Sequence, residues 1–148
     1  MIERCTSGEH AGWLALRDVL WPQPRDLQLS EMAAIAAEPR RYAAFVAYGH
    51  DREPVGFAEA ALRTDHVNGA QSSPVAFLEG LYVAPRARRR GIGRALVGEV
   101  CRWARALGCR EVASDALVGN EASHAVHRAL GFAETERVVF YRMPLGPA

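Results

Sequence analysis

Two dissimilar runs of this chain meet at Arg88-Arg89-Arg90-Gly91-Ile92-Gly93-Arg94. Before it stands Val75-Ala76-Phe77-Leu78-Glu79-Gly80-Leu81-Tyr82-Val83, apolar and β-prone but for one carboxylate; after it Ile92, Leu96, Val100, Trp103 and Leu107 recur at helical spacing. Strand, Arg- and Gly-rich turn and helix in direct succession form an arrangement that holds a polyphosphate. Glycine lets the backbone turn tightly and approach a ligand. The unpaired N–H groups and the dipole at a helix start favour an anion, and arginine adds forked donors. The turn lacks the Lys-Ser/Thr ending of a P-loop, and no G-x-G-x-x-G is present, so neither nucleotide fingerprint fits. In isolation, a basic surface turn that caps a helix accounts for it equally well.

The chain of 148 residues is long enough for one domain with a real core, and 49% hydrophobic content is that of a globular protein. We therefore expect a single domain over 1–148. A net charge of +1 gives no support for nucleic-acid binding, although all 18 basic residues are Arg. Cys5, Cys101 and Cys109 cannot all pair and lack metal-ligand spacing, so reduced thiols and no metal are expected. With no signal peptide at Met1-Ile2-Glu3-Arg4 and no run long enough to span a membrane, a soluble, cytoplasmic protein is expected.

Met1–Cys5 reads as a short strand. Thr6 with Glu9 reads as a capping box for a helix striped by Trp13, Leu16 and Leu20, stopped at Trp21-Pro22-Gln23-Pro24. A second helix is expected from Leu27 to Ala37, then strands Arg41–Tyr48 and Val55–Leu62 across a hairpin-like turn. Thr64–Ser73 is a polar loop. After the Arg-rich turn and its helix come a strand at Glu111–Ala116, a helix at Asn120–Leu130 and a last strand at Glu136–Met143. The order βααβββαβαβ implies a mixed sheet.

Three acids stand out. Glu79 interrupts an apolar strand, where a carboxylate is costly unless paired or functional. Asp115 follows Val112-Ala113-Ser114 at a strand end that would open into a crevice, and Glu136 begins the last strand. Singly each reads as a surface charge; converging, they would make a pocket that attracts a cation. Trp21, at a helix end before two prolines, is poorly explained by packing alone, whereas Trp13 and Trp103 lie on apolar stripes. His10, His50 and His124 read as solvated.

The turn matches the R-x-x-G-x-G pyrophosphate signature of the GNAT superfamily of acyl-CoA-dependent N-acetyltransferases, and Asn120 with Ala129-Leu130-Gly131-Phe132 is similar to that superfamily's close. A nearer resemblance runs through Asp65–Gly69, Ser72–Gly80, Gly108–Glu111, Ala113–Asp115 and Gly131–Val138: these stretches look like the short, single-domain aminoglycoside 6′-N-acetyltransferases. The resemblance implies an α+β GNAT fold, with a mostly antiparallel twisted sheet of six to seven strands, helices on both faces and a V-shaped acetyl-CoA cleft. It implies acetyl-CoA as co-substrate and direct transfer to the 6′-amine of an antibiotic. Leu81, Tyr82 and Val83 would pair with the pantetheine arm, residues Arg88, Arg89, Arg90, Gly91, Ile92, Gly93 and Arg94 would hold the pyrophosphate, and Asn120 would contact the donor near its thioester. Trp21, His66, Glu79, Asp115 and Glu136 would line the antibiotic site. Glu79 and Asp115 are alternative acceptors of the amine proton. His127 is the candidate acid for the thiolate, with Tyr141 a weaker one. A homodimer, helped by Phe140-Tyr141, is implied too.

The chain departs from that family at Pro24, where members tend to carry His, and at His66, where Tyr is common. Both positions border the acceptor pocket. Other acceptors, a small polyamine or a peptide amine, would use the same donor turn, and a non-catalytic acyl-CoA-binding domain would keep it too.

Overall fold

A computed structural model describes residues 1–148, which form two compact units, Met1–Asp115 and Ala116–Ala148. The first holds β1 (Ile2–Arg4), α1 (Ala11–Leu20), α2 (Arg25–Ala37), β2 (Tyr42–Tyr48), β3 (Pro54–Arg63), β4 (Val75–Val83), a 3-10 turn at Pro85–Ala87, α3 (Ile92–Ala106) and β5 (Val112–Ala113). The second holds α4 (Glu121–Leu130). The architecture is the expected α+β one, with five strands instead of six to seven. They lie in the order β1-β2-β3-β4-β5, antiparallel except for β4 with β5.

Residues of opposite parity on β3 show how the sheet is sandwiched. A Cβ at Gly56 would touch Ile92 and Leu96 of α3, whereas Glu59 is bonded by Trp13 and Arg17 of α1. Helix α3 therefore covers one face, with Leu96 and Val100 fully buried. On the other, Trp13, Leu14, Leu16 and Met32 of α1 and α2 pack with Ala44, Val46 and Phe57. Loss of a fully buried indole such as Trp13 costs about 3–5 kcal/mol.

Several expectations change. His10, not Thr6, caps α1: its imidazole accepts from the Trp13 N–H at 3.1 Å, and its other nitrogen lies 3.2 Å from the Tyr48 hydroxyl. It is a structural, half-buried residue instead of a solvated one. Helix α2 starts two residues earlier than expected, with Pro24 as its N-cap. The strand expected over Glu111–Ala116 shrinks to Val112–Ala113.

The strand expected over Glu136–Met143 does not form: residues 132–148 are neither helix nor strand. Val139, Phe140, Tyr141 and Met143 are largely exposed. The stretch has strand composition but pairs with none of the five strands, and a lone strand leaves every backbone N–H and C=O unpaired.

Candidate active site

Strand β4 carries the site, and its register explains why. Glu59 faces Gly80 and Ala60 faces Leu78, so Glu79 is the extra residue of a β-bulge. Bulges re-aim side chains and bend the strand that bears them. On its other edge β4 pairs with β5 only through Ala76 and Phe77. Beyond this point the two parallel strands part, and the edge at Leu81-Tyr82-Val83 has no strand beside it.

That edge leads into the Arg- and Gly-rich turn. Arg88 Nε donates to the Val83 carbonyl at 2.8 Å and ties the turn to the strand end. Arg89 and Gly91 have φ of 63° and 78°, the left-handed region that favours glycine. Gly91 is the N-cap of α3 and supplies no side-chain cap, so the first N–H groups of the helix lack a side-chain acceptor. A Cβ at Gly91 would meet nothing within 4 Å, and at Gly93 only Val83 at 3.8 Å. Arg88, Arg89, Arg90 and Arg94 are exposed around this open helix start. A free strand edge running into an uncapped helix start fits the extended arm and pyrophosphate of an acyl-CoA.

The α1–α2 face of the same strands bears a cavity of about 550 Å³. Arg17, Trp21, Glu31, Tyr42, Glu59 and Glu79 are among its lining residues. Trp21 lies across β4 at Gly80, where a Cβ would fall 2.3 Å from the indole. The ring also packs edge-on against Phe57, centroids 5.7 Å apart.

Beneath Trp21 is a polar network that the sequence reading did not find. Arg17, 3% exposed, donates to Glu59 on β3 and to Glu31 on α2, and its Nε to Gln28 Oε1 at 2.8 Å. The Gln28 amide in turn donates to the Trp21 carbonyl at 2.8 Å. Trp13 Nε1 donates to Glu59 at 2.7 Å. Burial pushes the Glu59 carboxyl above its ordinary range, against the opposing pull of Arg17 and the Trp13 N–H.

The signal for Glu59 was the one used for Glu79, a carboxylate inside an apolar strand. It is Glu59 that is buried, 5% exposed. Glu79 is partly open and accepts from Arg63 at 2.7 Å, and the Arg63 guanidinium stacks on Phe77, 3.8 Å from the ring centroid.

Trp21 and Glu79 thus share the cavity. Phe77 pairs with Ala113, and this parallel register runs toward Glu79 and Asp115, each two residues further on. Asp115 is exposed, as is His66 in the loop before β4. Neither lines the cavity. Pro24 is exposed at the start of α2, where its carbonyl accepts from the Gln28 N–H at 3.1 Å.

In the second unit Asn120 caps α4, its Oδ1 accepting from the Ser123 N–H at 3.1 Å. His127 Nδ1 lies 2.7 Å from the Ser123 carbonyl oxygen, so this nitrogen carries the hydrogen. The ring meets Phe132 edge-on at 5.2 Å. Glu136 and Tyr141 are exposed in the irregular tail.

Comparison with known proteins gives this geometry a family. The acetyltransferase (GNAT) family model matches residues 13–132. The aminoglycoside N(6′)-acetyltransferase type 1 of Serratia marcescens is 53% identical over 148 residues, 99% of this chain and 100% of its own length. That of Stenotrophomonas maltophilia is 50% identical over 147 residues, 99% and 95%.

Among solved structures, the aminoglycoside 6′-N-acetyltransferase AAC(6′)-Ih from Acinetobacter baumannii superposes with a TM-score of 0.93 at 43% identity, covering 99% of both chains. AAC(6′)-Iy, in complex with the bisubstrate analogue CoA-S-monomethyl-acetylneamine, gives 0.90 at 44% identity, covering 98% of both. The fold is thus shared with these enzymes over nearly the whole chain, and the chain belongs to the acetyltransferase (GNAT) family.

Proposed function

We propose that this chain is an acetyl-CoA-dependent aminoglycoside 6′-N-acetyltransferase, acting on antibiotics of the kanamycin and tobramycin type and conferring resistance to them. The observation that carries the reading is the double use of β4. Its free edge at Leu81–Val83 suits the donor, and its bulge presents Glu79 beside Trp21 in an acceptor-sized cavity. Near-full-length relatives at about half identity supply the acceptor class. The family match crosses the boundary between the two units, which supports one catalytic domain over 1–148.

Acetyl-CoA brings an acyl group already activated as a thioester. The backbone of Leu81, Tyr82 and Val83 pairs with its arm as an added strand. Arg88, Arg89, Arg90, Arg94 and the N–H groups from Gly91 to Gly93 take its pyrophosphate. Trp21 packs on the sugar rings, while Glu79, Asp115, Glu136 and the His66 loop hold ammonium and hydroxyl groups. Asn120 lies near the thioester.

The amine attacks as the free base, so the ammonium first gives a proton to Glu79 or Asp115, directly or through water. The N–C bond forms as the C–S bond breaks. The second amine proton passes to the bare Nε2 of His127, whose Nδ1–H is held by the Ser123 carbonyl, and from there to the thiolate. The net products are amide, CoA thiol and one proton released to solvent. Direct attack is favoured because none of Cys5, Cys101 and Cys109 lines the cavity, and burial raises the Cys5 and Cys109 thiols, Cys5 to about 12. Holding the two reactants in line supplies most of the rate.

The exposed apolar tail, Val139 to Met143, supports a homodimer closed by this segment. An acetyl-CoA-consuming reaction suits a cytoplasmic enzyme, and the net charge of +1 gives no support for nucleic acid as a partner.

NMR of the product made from tobramycin and acetyl-CoA tests the reading. Acetylation at N6′ alone is expected. Acetylation at another amine would contradict the regiochemistry.

A further inference from the structure

Glu79 is not presented bare to an incoming ammonium. Its Oε1 accepts from Arg63 Nη2 at 2.7 Å, and both side chains are open to solvent, 42% exposed for Arg63 and 37% for Glu79. The guanidinium is held from beneath by the Phe77 ring, 3.8 Å away, so it is fixed beside the cavity-lining Glu79 by stacking as well as by the ion pair. The register places the pair together: Arg63 ends β3 opposite Val75, and Phe77 and Glu79, two residues apart on β4, share the face of Val75.

The charges facing this cavity divide into two sets. Arg17 from α1 serves both Glu59 of β3 and Glu31 of α2, a set with one excess negative charge. Glu79 of β4 is matched by Arg63. Tyr42 of β2 also lines the cavity, and Asp115 lies past the end of β5. Without Arg63 the wall would gain a full negative charge where the acceptor nitrogen must sit. An unmatched carboxylate close to an amine favours the ammonium. The ammonium binds well but cannot attack, so an acidic acceptor pocket binds its substrate in the wrong protonation state.

We infer that Arg63 is a positioning residue of the acceptor pocket: acting through Glu79, it orients the carboxylate and offsets its charge, so that the bound 6′-amine can shed its proton near neutral pH. Glu79 Oε2 is left to the substrate while Oε1 stays with Arg63. Arg63 therefore weakens ammonium binding and favours the reactive free base. The proposal rests on the reading of the chain as an aminoglycoside acetyltransferase.

The test is the pH dependence of kcat and KM for tobramycin in the wild type, R63M, R63Q and R63K, with acetyl-CoA binding measured alongside as a check on the fold. In R63M and R63Q the acceptor KM falls by roughly three-fold, the scale of an exposed ion pair. kcat falls near pH 7 and recovers to the wild-type value above pH 9, because the ionisation limb moves up by about half a unit or more. R63K, which keeps the charge, retains the wild-type limb. In an E79Q background, R63M moves nothing further.

A purely structural role for Arg63 gives the opposite pattern, with acceptor KM raised and kcat lowered at every pH. That result, or an unmoved limb in both R63M and R63Q, overturns the proposal while leaving the acetyltransferase reading intact. Absence of wild-type turnover overturns the underlying reading and the proposal with it.

Discussion

At Gly80 the acceptor wall and the sheet touch with no room for a methyl group, since an added Cβ would lie 2.3 Å from Trp21 Cη2 and 2.4 Å from Cζ2. Gly80→Ala must therefore displace the indole. It is expected to cost about 1–3 kcal/mol of stability and to raise the acceptor KM several-fold while the KM for acetyl-CoA stays put; steady-state kinetics with each substrate varied in turn checks this. Glu59 makes a different prediction. Because burial raises its folded-state pKa above the ordinary 4.5, the folded chain holds the proton more tightly than the unfolded one. The stability this contributes is fully present below the ordinary value and is lost as pH rises through the raised one. Glu59→Gln cannot titrate, so the urea-unfolding free energy of the wild type minus that of Glu59→Gln should decline from about pH 4.5 upward and then level off. A difference that grows with pH would mean that Arg17, not burial, governs the carboxyl. Gly80 is conspicuous only when an aromatic ring lies across it, whereas Glu59 carries the same mark as Glu79, a carboxylate in an apolar strand, and only the packing of α1 shows which of the two is buried.

Among the elements, the strand–turn–helix of β4 and α3 was legible because each part leaves a local mark. An apolar β-prone run, glycines at a turn and a helical stripe depend on neighbours in sequence. The hairpin of β2 and β3 and the helices α1, α2 and α4 were legible for the same reason. The cap of α1 was not, because His10 gains its place from Glu3 and Tyr48, seven and 38 residues away. The bulge at Glu79 was equally hidden, since it exists only in the register with β3. At the head of α3, Gly91 holds φ at 78°, where an L-residue is strained by about 1–2 kcal/mol. Gly91→Val is expected to pull the first turn out of line. Its acetyl-CoA affinity should drop by roughly three- to ten-fold, the scale of a helix-terminus anion contact, with the acceptor KM little changed. Calorimetric titration of acetyl-CoA reads it directly, and unaltered affinity would place the pyrophosphate elsewhere.

For the molecule as a whole, the family resemblance carried the fold class, the donor and the acceptor class, while the placement of the site residues depended on the sheet. Trp21 and Glu79, 58 positions apart, meet because the end of α1 crosses β4. Leu81–Val83 gain a free edge because β5 is only two residues long. The chain end is where local pattern misled: Val138-Val139-Phe140-Tyr141 has a strand's composition, but strand formation needs a partner, and none of the five strands pairs with it. A second copy would supply one, so light scattering on the full chain should give twice the 16.2 kDa protomer mass, and truncation before Val138 should return it to the protomer value. The reaction itself is read by acetyl-CoA turnover, followed by thiol release, with kanamycin A against an aminoglycoside bearing a hydroxyl in place of the 6′-amine. Rapid thiol release with the 6′-amino compound and background release with the 6′-hydroxyl compound is the predicted result. Equal turnover of the two, or none with either despite measurable acetyl-CoA binding, would rule out 6′-N-acetylation as the activity.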